Sequence, residues 1–364
     1  MNLTTLLLPG IFSLIISFLI TPWVIKFYRR RGWLDDPQTQ NHPKVIHHYP
    51  VPRGGGVAIF LAIAAAGLFF LPLDKHLLGI LLGGLILMIT GFLDDIYNLN
   101  PYLRLGLGLA AAGSVVAAGI GVAYISNPLS PGTVINLSQP QIPLLLFGKV
   151  RTIWVLADLM AFVWILSTMN FVNWSKGLDG QLPGIVVVSA VVIGILSLRF
   201  SGDVTQWPVI ILAFILAGAY LGFLPYNFYP QKIMPGYGAG ALAGYFLAVL
   251  AILSGAKLAT AILVLGVPII DAVYTVLRRL ISGRSPVWGD RGHLHHKLMD
   301  LGWGKRRIAV WYWLISAILG FIALQLNSRQ KLYTLVFLGV IIGISLLWLS
   351  HSSYYSRPAG RGKA

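Results

Sequence analysis

The 364-residue chain contains no cysteine and no glutamate, and only 10% of its residues are charged. The absence of cysteine excludes a disulfide framework, a thiolate metal site and a cysteine nucleophile. Apolar residues make up 57% of the sequence and the mean hydropathy is +0.78, a composition that does not suit a water-soluble surface. The composition therefore predicts an integral membrane protein.

Apolar stretches long enough to cross a bilayer recur along the whole chain. A helix needs roughly 20 apolar residues to cross about 30 Å of hydrocarbon. We predict an all-α, polytopic membrane bundle of about eleven transmembrane helices, with residues 1–351 as one integral-membrane domain and 352–364 as a basic, disordered cytoplasmic tail. The predicted spans run approximately over 4–27, 54–72, 77–92, 104–125, 153–172, 184–198, 207–224, 239–254, 257–277, 308–326 and 331–350.

Lysine and arginine in the connections predict the orientation, because positively charged loops stay in the cytoplasm. If the N-terminus lies outside, one side of the bundle receives twenty of the 27 basic residues and the other side receives seven. We therefore expect an N-terminus outside and a C-terminus in the cytoplasm of a multi-pass inner (plasma) membrane protein.

Unusual polar residues collect on the predicted cytoplasmic side. Six of the eight histidines and seven of the eleven aspartates fall in its loops or at helix ends. One loop histidine or aspartate is most often a solvated residue, but clustering in several loops favours a shared site. These residues are His42, His47, His48, His293, His295, His296, Asp35, Asp36, Asp94, Asp95, Asp179, Asp290 and Asp300.

Asp94 and Asp95 end the third predicted span. Adjacent carboxylates at a membrane boundary repel each other unless a cation or hydrogen-bond donors compensate them. Mg²⁺, which takes oxygen ligands, is a usual compensating ion where phosphates bind. The pair therefore predicts a metal site, with two solvated aspartates at a helix end as the alternative.

The end of the fifth predicted span is also polar. Asn170 and Asn173, three residues apart, share a helix face, and Lys176 and Asp179 follow them. Nearby glycines allow a tight loop whose backbone N–H groups can approach an oxyanion. This combination favours a phosphate-binding role over a purely structural turn.

Arg291, His293, His295 and His296 lie in the loop after the ninth span, and their side chains suit phosphate recognition. A histidine triplet can instead bind Zn²⁺, although no H-E-x-x-H spacing supports a catalytic zinc. A solvated basic loop is the third alternative.

Two further features lie near the same side. Lys44, His47 and Arg53 precede a run of three glycines that can cradle phosphate or simply permit close helix packing. Asp271 is an intramembrane carboxylate in the ninth span, for which Arg278 or Arg279 is the expected counter-charge.

These segments, taken in order, resemble the polyprenyl-phosphate N-acetylhexosamine-1-phosphate transferases, glycosyltransferase family 4, along essentially the whole chain. The carboxylate pair resembles the paired aspartates of the family, and 170–180 resembles its N-x-x-N-x-x-D-G-L-D-G segment. Residues 268–279 resemble its P-x-x-D…R-R helix, and 293–296 its histidine motif. The His-Leu-His-His form and the Pro-Arg-Gly-Gly of 52–55 resemble the branch that makes lipid-linked GlcNAc-phosphate for teichoic acid, common antigen and O-antigen.

The resemblance implies attack by a polyprenyl phosphate oxygen on the β-phosphorus of a UDP-sugar, which releases UMP. It implies Mg²⁺, or Mn²⁺, on Asp94 and Asp95, with Asp179 as a further ligand or base. The expected partners are UDP-N-acetylhexosamine, polyprenyl phosphate and membrane lipid. We expect no binding to nucleic acid, and a homodimer is one possible oligomeric state. The expected catalytic residues are Asp94, Asp95, Asp179 and His293, and the expected substrate-binding residues are Lys44, His47, Arg53, Asn170, Asn173, Lys176, Arg291, His295 and His296.

Two acidic positions of the family pattern are replaced in this chain. Lys176 stands at the first aspartate of D-G-L-D-G, and Tyr237 at the aspartate of the M-G-D-x-G-S loop. The two replacements shift the local charge by about three units. Three interpretations follow: Lys176 partly substitutes for metal charge, metal binds more weakly, or the chain is a non-catalytic homologue that binds lipid phosphate or scaffolds a pathway. A transporter is a further alternative because of Asp271 and the broken helices.

Overall fold

A computed structural model describes residues 3–38, 47–130, 132–146, 149–255, 257–283, 285 and 292–355. Its described residues form thirteen α-helices, connected by short loops and three small antiparallel hairpins. The helices are α1 (Leu3–Arg31), α2 (Gly55–Phe70), α3 (Lys75–Tyr97), α4 (Pro101–Ala117), α5 (Val155–Trp174), α6 (Gln181–Leu198), α7 (Trp207–Asn227), α8 (Gly236–Leu253), α9 (Leu258–Val264), α10 (Gly266–Ile281), α11 (Leu294–Asp300), α12 (Lys305–Gln325) and α13 (Ser328–Tyr355).

The hairpins are short and pair neighbouring segments. Two-residue strands join the end of α1 to the start of α2, whereas the longest hairpin precedes α5. They are β1 (Leu34–Asp35) with β2 (Val51–Pro52), β3 (Tyr124–Ser126) with β4 (Val134–Asn136), and β5 (Gln141–Leu146) with β6 (Lys149–Trp154).

Within the described residues, eight helices are long and apolar enough to cross a membrane, or nine if the bent pair α9 and α10 is one span. The chain is therefore a multi-pass membrane helix bundle. Helices α2 and α4 are apolar but have only 16 and 17 residues. The count of eleven and the sidedness stay predictions.

The ninth predicted span, 257–277, is not one straight helix. It is broken at Leu265, where α9 and α10 meet at 83°. Periodicity could not reveal this break, because both halves are apolar at their junction. The described part of the predicted tail, 352–355, belongs to helix α13, and residues 356–364 lie outside the described residues.

Local sequence signals explain where several helices begin and end. Asp74 caps α3 by accepting a 2.8 Å hydrogen bond from the Leu77 backbone N–H, and Asn98 ends that helix in the left-handed conformation. Asn100 caps α4 in the same way and is followed by Pro101 at the first helical position.

Helix α8 is the buried centre of the bundle, and nearly all its side chains are inaccessible. It packs against α5, α3 and α2, while α7 packs along α1 and α6. Small residues on α8 let the neighbouring backbones approach closely, as is usual where membrane helices lack a hydrophobic driving force between them. The N-terminal end of α8 therefore lies among the ends of α3 and α5, where the polar residues are found.

Candidate active site

The aspartate pair at the end of α3 is already held by other side chains. Arg104 Nη1, at the start of α4, donates to both carboxylate oxygens of Asp94 at 3.1 and 3.2 Å. The Tyr28 hydroxyl lies 3.5 Å from Asp95 Oδ2. Asp95 Oδ1 is buried and accepts no hydrogen bond from the described residues. The pair is thus fixed in place with one carboxylate oxygen left for a further donor.

Lys176 enters the same region from the loop between α5 and α6. Its ammonium donates a 2.8 Å hydrogen bond to the carbonyl of Gly236, the buried first residue of helix α8. Burial lowers the pKa of Lys176 to about 7, and the negative charges of Asp94 and Asp95 oppose that shift. The lysine therefore lies within electrostatic reach of both carboxylates.

Tyr237 lies beside two of these cations. The Lys176 Nζ atom is 5.7 Å from the centroid of its ring, and the Arg104 guanidinium carbon is 5.2 Å from the same centroid. Such distances allow cation–π attraction. A neutral aromatic ring therefore occupies the position at which the resemblance leads one to expect a third carboxylate.

Glycines bring the backbones of α2, α3 and α8 together at this point. A side-chain carbon added at Gly56 would come within 2.8 Å of the Gly238 backbone, and one at Gly91 would overlap that backbone. At Gly236, which has a φ of +64°, an added carbon would lie 2.7 Å from Asp95 Oδ1. These close approaches place the carboxylate of Asp95 directly against the start of α8.

The histidine motif forms a second group, organised by Asp271 of α10. His293 Nδ1 lies 2.8 Å from Asp271 Oδ2, and the Leu294 backbone N–H donates to Asp271 Oδ1 at 2.8 Å. The His293 and His295 rings are stacked with centroids 5.7 Å apart, and the His296 ring is 4.3 Å from that of His295. All three imidazoles are buried.

The counter-charge of Asp271 was predicted wrongly. The residue that binds this carboxylate is His293, rather than Arg278 or Arg279 on the same helix. The three-residue and four-residue spacing that joins neighbours on a helix does not connect 271 with 278 or 279. Arg279 instead lies with its guanidinium 5.9 Å from the Trp174 ring centroid.

The loop 175–180 joins the two groups. Lys176 contributes to the aspartate group, and an added side-chain carbon on the next residue, Gly177, would overlap the His295 ring. Because consecutive Cα atoms are about 3.8 Å apart, the carboxylate pair and the histidines lie on adjoining parts of one site. The predicted convergence of the polar loops is therefore present in the structure.

Asp179 belongs to the same loop but faces the following turn. It is buried, its Oδ2 accepts from the Gln231 backbone N–H at 3.3 Å, and Lys305 Nζ is 3.7 Å from its Oδ1. The next backbone N–H, of Gly180, donates to Asn227 Oδ1 at 3.0 Å. These contacts hold the loop 175–180 against the end of α7 and the turn that follows it. Asp179 therefore stabilises the conformation of this loop.

The two predicted asparagines of α5 make different contacts. Asn170 Nδ2 donates to the Leu166 carbonyl of its own helix at 2.8 Å. Asn173 is buried against α8, where an added side-chain carbon at Gly240 would overlap its amide oxygen. Asn173 therefore contacts α8, the helix whose first residues adjoin the aspartate group. Asn170 makes its hydrogen bond to the backbone of its own helix.

The first predicted loop reaches the site through Arg53. The Arg53 guanidinium donates to Asp35 Oδ2 at 2.6 Å and to Asn98 Oδ1 at 2.9 Å, and His47 Nε2 lies 3.1 Å from the Asp35 carbonyl oxygen. His47 thus supports the hairpin that positions Arg53. Lys44 and Arg291, also predicted to bind substrate, lie outside the described residues.

The residues around the aspartate pair do not fit a divalent metal site. Within the described part of the chain, no three histidine, aspartate or glutamate side chains are grouped to hold a metal ion, which also gives no support to zinc. Among the described residues around the pair, three carboxylates face three basic side chains, so this part of the chain supplies no net negative charge to attract Mg²⁺. These groups are Asp35, Asp94, Asp95, Arg53, Arg104 and Lys176. Magnesium on Asp94 and Asp95 stays a prediction of the resemblance alone.

Sequence reasoning missed three contacts at the site. Arg104, which donates to Asp94, belongs to none of the motifs, although a cation at the start of the helix after the aspartate pair is a signal that could have identified it. Lys305, the partner of Asp179, begins α12 and lies far along the chain from it. Tyr28 lies between Phe27 and Arg29 near the end of α1 and belongs to no distinctive motif.

Comparison with known proteins agrees with this site. Residues 77–255 match the model of glycosyl transferase family 4, a segment that includes the aspartate pair, the loop 175–180 and Tyr237. The chain is 29% identical to the decaprenyl-phosphate N-acetylglucosaminephosphotransferase of Mycolicibacterium smegmatis, over 95% of this chain and 88% of that protein.

Two further relatives have related names. The probable undecaprenyl-phosphate N-acetylglucosaminyl 1-phosphate transferase of Bacillus subtilis is 28% identical over 91% of this chain and 88% of its own length. The undecaprenyl-phosphate alpha-N-acetylglucosaminyl 1-phosphate transferase of Thermotoga maritima is 26% identical over 92% of this chain and 94% of its own. The matched segment, the nearly full-length similarity and the convergence of the motifs lead to one conclusion: the chain belongs to glycosyl transferase family 4.

Proposed function

We propose that the protein transfers GlcNAc-1-phosphate from UDP-GlcNAc to a polyprenyl phosphate, as its relatives are named for doing. The observation that carries the proposal is the junction of the aspartate group and the histidine group at the loop 175–180. Both substrates are anionic and one is embedded in lipid, so a site that offers lysine, arginine and histidine side chains among helix ends suits them. The three named relatives are similar to this chain over 88% to 94% of their own length.

The reaction forms one bond and breaks one bond. A phosphate oxygen of the polyprenyl phosphate attacks the β-phosphorus of UDP-GlcNAc, and the bond from that phosphorus to the bridging oxygen breaks. UMP leaves with the bridging oxygen, and the product is polyprenyl diphosphate GlcNAc. Such transfer depends mainly on positioning the reactants in line and on stabilising charge at the phosphoryl oxygens.

The residues divide this work between the two groups. Lys176 and Arg104 supply positive charge at the aspartate group, where Asp94 holds the arginine by two hydrogen bonds. His293, positioned by Asp271, and the stacked His295 face the nucleotide diphosphate in this proposal. Charge-assisted hydrogen bonds of this kind are roughly twice as strong as neutral ones.

The remaining predicted residues support or extend the site. In the proposal Asp179 and Asn173 position the loop 175–180, and His47 supports Arg53. The His296 ring lies against that of His295. The Asn170 side chain, on α5, donates to its own helix backbone and is a further amide near the site. Lys44 and Arg291 stay predicted ligands of the phosphates.

The proposed setting is the cytoplasmic face of the inner (plasma) membrane, with eleven spans, the N-terminus outside and the C-terminus inside. The site supports it, because its residues follow the C-terminal ends of α1, α3, α5 and α7, the alternate helices whose ends carry the basic loops. A nucleotide sugar made in the cytoplasm reaches that face directly, and the product would begin a lipid-linked envelope glycan such as teichoic acid or a lipopolysaccharide O-antigen.

Transfer of radiolabelled GlcNAc-phosphate to undecaprenyl phosphate by the purified protein tests the proposal. We expect labelled lipid and an equal amount of UMP, and a loss of about 10²-fold or more in Asp94→Asn, because Arg104 then loses a charged partner. Asp203→Asn, an exposed aspartate that caps a short 3₁₀ turn before α7, is the matched control. A panel of UDP-sugars identifies the donor.

Two results would reject transferase activity. Binding of polyprenyl phosphate without any UMP from the panel would favour a non-catalytic membrane homologue. Saturable uptake of an unmodified substrate into proteoliposomes would favour a transporter.

A further inference from the structure

The aspartate group contains its own cations. Lys176 acts electrostatically on Asp94 and Asp95, Arg104 binds Asp94 directly, and Arg53 also acts on Asp95. Since Arg53 is itself bound by a third carboxylate at 2.6 Å, the whole group is close to neutral. Lys176 and Arg104 repel a divalent ion that approaches the pair, whereas a diphosphate that accepts the remaining Lys176 N–H donors gains charge-assisted hydrogen bonds.

The Lys176 ammonium is held beside the aspartate group, at a position where a cation could contact a bound diphosphate. Its Nζ donates to the Gly236 carbonyl at 2.8 Å and lies beside the Tyr237 ring. An ammonium has three N–H donors, and Gly236 is its one hydrogen-bond acceptor among the described residues. The Asp95 carboxylate abuts the same glycine. The lysine thus combines a fixed position with remaining donor capacity, and the negative charge of an arriving diphosphate favours its protonated form.

Tyr237 keeps this cation from being neutralised by a third acid. A tyrosine ring attracts an ammonium only weakly, by about 0.5–2 kcal/mol, and carries no negative charge. Arg104 contacts the same ring at 5.2 Å, so both cations share a neutral neighbour. Their charge is therefore directed at Asp94, Asp95 and any anion that enters.

We propose that Lys176, together with Arg104, takes the electrostatic place of a divalent cation, so that this protein binds a nucleoside diphosphate sugar and transfers its sugar phosphate without a divalent metal. For the transfer step this inference rests on the proposed function, but the binding step stands without it. Lys176 stabilises the negative charge of the diphosphate, while Arg104 is oriented by Asp94. The carboxylate pair positions these cations instead of coordinating an ion.

The first experiment measures binding of UDP-GlcNAc to the purified full chain with EDTA or with Mg²⁺. We expect the same Kd within about threefold in both, because the cations belong to the protein. Lys176→Met, which keeps the length of the side chain but removes the charge, should weaken binding by about ten- to a hundredfold, the effect of a lost charged hydrogen bond. Lys257→Met, a lysine that lies over the Phe200 ring away from the site, is the matched control.

The second experiment restores both acids. Lys176→Asp combined with Tyr237→Asp makes the local charge more negative by about three units, which should create a site for a divalent ion. Electron paramagnetic resonance of Mn²⁺ should detect bound metal in this double variant but not in the unaltered protein at equal concentration. A thermal unfolding curve shows whether the variants are folded.

The outcomes separate the two proposals. UMP release that EDTA abolishes and Mg²⁺ restores would overturn the metal-free inference and leave the transferase intact. Absence of UMP under every condition would reject the transferase, and the inference is then judged by binding: metal-independent binding that Lys176→Met weakens upholds it. Binding that requires Mg²⁺, or Mn²⁺ bound tightly to the unaltered protein, would overturn it. If Lys176→Met fails to fold, metal-dependent binding by the unaltered protein remains the decisive result.

Discussion

Replacing Asp271 by asparagine tests whether this buried carboxylate sets the proton arrangement of His293. The carboxylate contacts His293 Nδ1 and the Leu294 backbone N–H, each at 2.8 Å. Because an ionised carboxylate only accepts hydrogen bonds, Nδ1 carries a proton. Asparagine keeps an acceptor for Leu294 but presents an N–H donor to the imidazole, which then needs the opposite tautomer. We therefore expect Asp271→Asn to reverse the ring protonation with little change in shape.

The expected loss of affinity follows from the hydrogen bond that changes. A hydrogen bond to a charged partner contributes about 1.5–3 kcal/mol and a neutral one about 1, so Asp271→Asn should weaken UDP-GlcNAc binding by about 2- to 30-fold. Calorimetry measures the affinity, and ¹⁵N NMR of histidine-labelled protein reports the tautomer. Asp158→Asn, at the opposite end of α5, should change neither. Unchanged affinity in a variant whose His293 tautomer is reversed would refute the assignment.

Two other predictions concern the loop 175–180. Gly177→Ala should displace the His295 ring, because the added carbon overlaps it. The variant should lose about 1–3 kcal/mol of folding stability and bind UDP-GlcNAc more weakly. Gly202→Ala is the control, because the space around Gly202 is open. Asp179→Asn should lower the thermal midpoint by removing the attraction between its buried carboxylate and Lys305, and Lys305→Met added to it should recover part of the loss. Equal midpoints for all three proteins would show that this pair does not fasten the loop.

Apolar runs predict most of the helices, because the bilayer sets their length and the polar loops mark their ends. Runs around 77–92 and 184–198 correspond to α3 and α6, each extended by a few polar or small residues. The break at Leu265 is followed by Gly266 and Pro268, but membrane bundles tolerate both residues inside a span, so they did not fix its position. Its bend depends on tertiary packing: both halves contact α12 and α13, but α9 also packs against α6 and α8, whereas α10 packs against α5.

The membership of the site was predictable, but its internal pairing was not. Motifs on one predicted face of the membrane indicated that Asp94, Lys176 and His293 would converge, and the loop 175–180 does join their groups. Asp271 and His293 are 22 residues apart: Asp271 lies within α10, and His293 lies just before α11. Sequence spacing gives no measure of such a contact, because the path of the intervening loop decides it.

Lys176 and Tyr237 form one structural unit, which explains why both depart from the family pattern. The ammonium binds the carbonyl of Gly236, the residue directly before the tyrosine. An aspartate at 237 would lie beside that ammonium and form a buried ion pair, which would hold the lysine away from an arriving phosphate. The neutral ring at 5.7 Å attracts it only weakly and leaves its donors available. A lysine at 176 can therefore serve an anionic substrate only where residue 237 is not an acid.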